Sequence, residues 1–142
     1  MKFVVSACLT GQNCKYNGSS NLDPELLSFL KNHEYITVCP EVLGGLPIPR
    51  APSEIKNKQV INNTGIDVTE NFKKGALLAL KAALNFGAEA AILQPRSPSC
   101  GFGQIYDGSF TKTLTAGNGI FTQLLKEHNI KIYNYKSNTE NK

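Results

Sequence analysis

Apolar residues fall along this chain in short blocks with two different rhythms. Lys2–Ser6, Tyr35–Val38, Ala90–Leu93 and Ile130–Tyr133 are brief apolar runs, and Gln59–Ile61 is a weaker one. Runs of this length between turn-forming residues predict strands. Between them the spacing becomes helical. Asp23 is placed to cap a helix that begins at Pro24 and buries Leu26, Leu27, Phe29 and Leu30. From Thr69 to Phe86, residues Phe72, Ala76, Leu77, Leu80, Ala83 and Leu84 recur at helical spacing. Gly87 suits its stop, and Asp67 with Glu70 resembles a capping box at its entrance. A third helix is expected at about Gly119–His128, burying Ile120, Phe121, Leu124 and Leu125.

Strands alternating with helices predict an α/β fold: one domain with a doubly wound, mainly parallel sheet of Rossmann-like or flavodoxin-like kind. The domain is expected to span residues 1–136, with 137–142 as a flexible polar tail. Three long stretches, Leu9–Asn21, Pro40–Lys58 and Gln94–Thr115, carry no regular rhythm. Loops that long inside a compact domain are usually functional.

Composition narrows the class. With 41% hydrophobic and 18% charged residues among 142, the chain is that of an ordinary folded domain. No apolar stretch approaches the ~20 residues of a membrane span. The start reads straight into a strand, without the apolar core of a signal peptide. A cytoplasmic protein with no membrane partner is therefore expected. The net charge of +4 is scattered, with Lys73-Lys74 the longest basic run. Such a charge attracts anions without demonstrating a nucleic-acid partner. In a reducing compartment the four cysteines are expected to be ligands, catalysts or buried fillers rather than disulfide partners.

The places of those cysteines matter more than their number. Cys8 follows the first strand, Cys39 the second, and Cys100 closes the loop after the Ala90–Leu93 strand. In a parallel sheet these are all carboxyl ends, where open α/β proteins build their sites. Cys14 lies within the first loop. A lone cysteine at a strand end is most often a small buried hydrophobe. Three of them, each beside Pro or Gly in a long loop, point to a shared ligand. The close C-x₂-C pairs of structural zinc and of thioredoxin chemistry are absent, although zinc on all four cysteines remains the runner-up. An iron–sulfur cluster prefers thiolates and accepts them from scattered loops. With three protein ligands, one of its irons stays open to a substrate and acts as a Lewis acid, by the logic of an open zinc site.

Other features are weaker. Gly44-Gly45 and Gly101-Phe102-Gly103 permit close backbone approach but match no dinucleotide or P-loop fingerprint. His33 and His128 stand near helix ends, where capping or surface roles are expected. Glu41 is the carboxylate tied by sequence to the thiol centre, and Arg50 and Arg96 border the same loops, each suited to a carboxylate or another anion.

Taken together, Val5-Ser6-Ala7-Cys8-Leu9, Cys14-Lys15-Tyr16-Asn17-Gly18, Val38-Cys39-Pro40-Glu41-Val42, Gly44-Gly45-Leu46-Pro47 with Pro49-Arg50, Arg96-Ser97-Pro98-Ser99-Cys100-Gly101 and Ile105-Tyr106-Asp107-Gly108 resemble the thiouracil desulfidase (TudS-type) family. The likeness runs in order from about Val4 to Ile132. It implies a 4Fe–4S cluster held by Cys8, Cys39 and Cys100 with one open iron, and Cys14 outside the cluster. It also implies non-redox desulfuration of a small thiolated pyrimidine or nucleoside, such as 2- or 4-thiouracil, to the oxo base and hydrogen sulfide. The acid–base pair it implies is Ser97 with a glutamate after the second cysteine. Glu41 is the nearest carboxylate; Leu43 occupies the position four residues after Cys39. Lys15 replaces a more usual arginine, and Asn17 an aspartate. The alternatives are a structural or sensing metal module, holding zinc or a cluster without catalysis, and a desulfidase of thiolated tRNA. Relatives of the tRNA kind carry a further domain.

Overall fold

The computed structural model of the chain describes residues 1–136 and the backbone of 139–141. The main sheet contains β1 (Lys2–Ser6), β2 (Glu34–Val38), β5 (Ala90–Ile92), β8 (Lys131–Asn134) and β9 (Thr139–Asn141), in the order β2-β1-β5-β8-β9. The first four are parallel, and β9 pairs antiparallel to β8. Of the tail expected to be flexible, Ser137, Asn138 and Lys142 lie outside the described residues. Two small hairpins stand apart from this sheet: β3 (Ser53–Lys56) with β4 (Gln59–Asn62), and β6 (Gln104–Tyr106) with β7 (Leu114–Ala116).

Strand β1 is buried on both faces, and its alternation sorts the core into two layers. Phe3 and Val5 pack with Leu26 and Leu30 of α1 (Pro24–Leu30). Val4 packs on the other face with α3 (Thr69–Phe86) and α4 (Ile120–Glu127), through Ala76, Ala79, Leu80, Ala83, Phe121 and Leu125. Helices on both faces and a parallel order that reverses at β1 make the sheet doubly wound, as expected. The reversal opens a crevice between the carboxyl ends of β1 and β5, the usual ligand position in such sheets.

The helix starts and stops follow local chemistry. Asp23 Oδ1 accepts the N–H groups of Glu25 and Leu26 at 3.1 and 3.3 Å, capping α1 ahead of Pro24. Gly87, at φ 80°, ends α3 in the left-handed conformation that glycine adopts without strain. The start of α3 differs from the expected capping box. Its N-cap is Val68, and Asp67 acts from one position earlier, accepting the Thr69 N–H at 2.8 Å. The expected burial of Leu77 and Leu84 is also corrected: they are 47% and 48% exposed. Small residues make the inner face of α3 instead. An added Cβ on Gly75 would stand 1.7 Å from the Pro40 carbonyl oxygen, and one on Gly44 would stand 2.0 Å from that of Asn71. The short helix α2 (Pro40–Leu43) therefore lies backbone to backbone on α3.

Two of the stretches read as irregular contain short elements, β3 and α2 in one and β6 in the other, and the first opens in a 3₁₀ turn at Ala7–Thr10. His128 caps α4, with Nδ1 2.9 Å from the Leu124 carbonyl oxygen. His33 is half-buried and stacks on Phe29 at 4.5 Å. Among the described residues no helix is long and apolar enough to cross a membrane.

Candidate active site

All four cysteines border one cavity of about 590 Å³ at the carboxyl ends of the strands. Cys8 arrives on the 3₁₀ turn directly after β1, and Cys39 is the N-cap of α2 directly after β2. Cys100 comes from the loop after β5, which hydrogen bonds within the loop and from α4 hold in place. Ser97 Oγ accepts the Cys100 N–H at 2.8 Å, and the Ser97 carbonyl accepts the Gly101 N–H at 2.9 Å. The carbonyls of Pro98 and Ser99 take the free N–H groups of Ile120 and Phe121, each at 2.9 Å. The first turn of α4 thus seats the cysteine loop with its own unsatisfied donors. Gly119 makes this approach possible, because a Cβ there would lie 2.4 Å from the Ser99 carbonyl. Across the crevice, Ser6 Oγ accepts the Gln94 N–H at 2.9 Å and ties the end of β1 to the end of β5.

The thiols differ in their environment. Burial pushes Cys8 up to about 11, with the neighbouring Cys39 adding to the shift. Burial also pushes Cys100 up to about 12. Cys39 is drawn down to about 6, chiefly by a hydrogen bond from the Cys14 thiol, and Cys14 is raised correspondingly. Cys14 is therefore inside the cavity beside Cys39, and Arg50 Nη2 fixes its carbonyl at 2.8 Å. Burial disfavours ionisation of the Cys8 and Cys100 thiols, and a bound cation reverses that preference.

Glu41 enters the cavity from the first turn of α2, on the helix that Gly44 and Gly75 press against α3. Its Oε1 accepts from Arg50 Nε at 3.0 Å, a pair whose side chains are only 16% and 6% exposed. Its Oε2 accepts from the Ser99 hydroxyl at 3.0 Å. Ser97 Oγ lies 3.3 Å from Ser99 Oγ. Ser99 links Ser97 and Glu41, the two expected acid–base residues. A hydroxyl chain Ser97–Ser99–Glu41 follows, in which each group can pass a proton to the next. Leu43, on the last position of α2, is exposed and does not line the cavity. Sequence reasoning passed over Ser99, although the doubled serine around Pro98 was a usable signal. It also passed over three aromatic residues that line the cavity, Tyr16, Tyr106 and Phe110.

The 2-thiouracil desulfurase family description matches residues 3–137. The chain belongs to the 2-thiouracil desulfurase family. Another similar sequence is the uncharacterized Bacillus subtilis protein YbbK, 37% identical over an alignment of 139 residues, a match that covers 91% of this chain and 92% of YbbK. Among solved structures, the 4Fe–4S-dependent thiouracil desulfidase TudS superposes with a TM-score of 0.86 at 43% identity. That match covers 92% of this chain and 88% of TudS. The 2-thiouracil desulfurase fold is thus shared over nearly the whole chain, including all three cysteine loops.

Proposed function

We propose that this protein is a 4Fe–4S-dependent desulfidase that exchanges the sulfur of a thiolated pyrimidine, of the 2- or 4-thiouracil type, for oxygen. The observation that carries this reading is the meeting of Cys8, Cys39 and Cys100, from three separate strand ends, in one cavity with Glu41 and its serines. Family membership and the likeness to TudS support it.

The donor set fits a cluster better than a single ion. Zinc draws its ligands to one point through zinc–sulfur bonds of ~2.3 Å. Among the described residues no three His, Cys, Asp or Glu side chains gather in that way. Thiols spread around a cavity suit a group that offers each of them its own iron. Cys8, Cys39 and Cys100 would hold it, leaving one iron open. When bound, the cluster supplies a soft Lewis acid that draws electron density from the thiocarbonyl carbon through its sulfur.

The chain's own residues then manage the water. Attack on the thioamide carbon requires removal of a proton, and Glu41 receives it through Ser99 and Ser97. Arg50 holds the carboxylate in place while Ser99 aims its second oxygen into the relay. Both protons of the water leave with the sulfur as hydrogen sulfide, so the exchange balances without electrons from a nicotinamide or flavin. The deciding experiment combines iron and acid-labile sulfide content of protein purified without oxygen with sulfide release from 2- and 4-thiouracil. Near four irons and turnover without ATP or reductant are expected. Stoichiometric zinc, or an intact cluster with no turnover of either base, overturns the reading.

A further inference from the structure

One side of the cavity is closed by the tip of the β6–β7 hairpin, and a single carboxylate oxygen fastens that tip. Glu54 Oε1, on β3, accepts the N–H groups of Gly108 at 3.0 Å and Phe110 at 3.1 Å. Gly108, at φ 93°, lies directly against β3. A Cβ there would stand 2.6 Å from Lys56 Cβ and 3.0 Å from the Ile55 carbonyl oxygen, so only glycine allows the approach. Within the tip, Asp107 Oδ1 accepts the Ser109 N–H at 2.9 Å.

Phe110, bonded to Glu54 in this way, stands at φ 58° and Lys112 at φ 61°, in the left-handed region that side-chain-bearing residues rarely adopt. This position puts a large apolar ring, 37% exposed, on the wall of the cavity that the thiols border. A phenyl ring open to a cavity that Tyr106 and Tyr16 also line offers its face to a flat apolar partner.

We propose that Phe110 is the stacking face for the substrate's pyrimidine ring and that Glu54 is the positioning residue that holds it there. The inference rests on the desulfidase reading and adds the contact that orients the ring. A thiolated pyrimidine is planar, with its hydrogen-bonding groups at the edge and two π faces. Stacking on one face leaves the thiocarbonyl edge free to point toward the cysteines.

The test uses anaerobically prepared, cluster-loaded protein and steady-state kinetics with 2- and 4-thiouracil. Phe110→Ala should raise KM by roughly 5- to 100-fold, the range of one base–aromatic stack. Its kcat should stay within about threefold and its iron content should be unchanged, the signature of lost uniform binding. Phe110→Tyr should restore KM. Glu54→Ala should raise KM in the same way and speed hydrogen exchange at the Gly108 and Phe110 amides. Glu54→Gln, whose carbonyl can still accept both bonds, should recover most of each effect. Wild-type turnover combined with an unchanged KM in Phe110→Ala, or a KM rise that tyrosine does not reverse, overturns this inference and leaves the desulfidase reading standing. Absence of turnover in the wild type removes both.

Discussion

Replacing Glu41 by glutamine separates the proton relay from the scaffold that carries it. Glutamine keeps an oxygen able to accept from the Ser99 hydroxyl, so that hydrogen bond, now 3.0 Å, can persist. What is lost is the basic carboxylate and the partner of a guanidinium whose side chain is only 6% exposed. General-base catalysis is worth ~10²–10⁴-fold, so kcat should fall within that range. Breaking a buried pair from one side costs ~3–5 kcal/mol. Arg50 retains the carbonyls of Pro47 and Cys14, at 3.2 and 2.8 Å, which places the loss toward the lower end. For a domain of this size each kcal/mol moves Tm by ~3–4 °C, giving a drop of roughly 10 °C. The assay is sulfide release from 4-thiouracil, measured well below the lowered Tm, with iron counted on the same sample. Iron should be unchanged, because the proposed ligands are Cys8, Cys39 and Cys100. Ser99→Ala, which cuts the relay but spares the ion pair, should lower kcat with a far smaller change in Tm. Full activity in Glu41→Gln with its cluster intact would show that the carboxylate is scaffold alone and refute the relay.

Three further outcomes follow from the same geometry. Cys8→Ala, Cys39→Ala and Cys100→Ala should each lose most of the iron while Cys14→Ala keeps it, as read by iron and labile-sulfide analysis; equal loss in Cys14→Ala would mean four protein ligands. Gly75→Ala should unseat α2, because its Cβ would lie 1.7 Å from the Pro40 oxygen. Tm and activity should fall together, and an unchanged variant would refute the backbone-to-backbone packing. In cluster-free protein Cys39, drawn down by the hydrogen bond from the Cys14 thiol, should be the thiol most readily alkylated between pH 5 and 7. Cys8 and Cys100, near 11 and 12, should label slowly throughout that range, and peptide mapping that finds all of them equal would contradict the assignment.

The four parallel strands were readable from sequence to within about a residue because each is a short apolar run bounded by turn residues. Of the hairpin strands only β4 was, as the weaker run Gln59–Ile61. Ser53–Lys56, Gln104–Tyr106 and Leu114–Ala116 are three or four residues long and mostly half-buried or exposed, so little apolar alternation marks them. Leu77 and Leu84 misled for a physical reason. The tight side of α3 is made of Gly75, Ala76, Ala79 and Ala83, which let neighbouring backbone come close, and the larger leucines face outward. The cysteine loops could be read as a converging set because each follows a strand of a parallel sheet at its carboxyl end. The link from Glu41 through Ser99 to Ser97 could not, since it depends on how α2 is turned against α3. That orientation is a tertiary fact carried by two glycines.

The seat that α4 provides for the Cys100 loop bears on the order in which this protein becomes competent during synthesis. Cys8 and Cys39 leave the ribosome early, but β1 needs β5 beside it, and the loop after β5 has no acceptor-matched support until Ile120 and Phe121 have emerged. A nascent chain short of that point carries all four thiols while the Cys100 loop still lacks its seat on α4. Domains tend to fold as units once their last essential element is available. Cofactor delivery to this protein therefore meets an almost finished fold rather than a growing one, and a chain cut before residue 120 should expose loose thiols that scavenge metal indiscriminately.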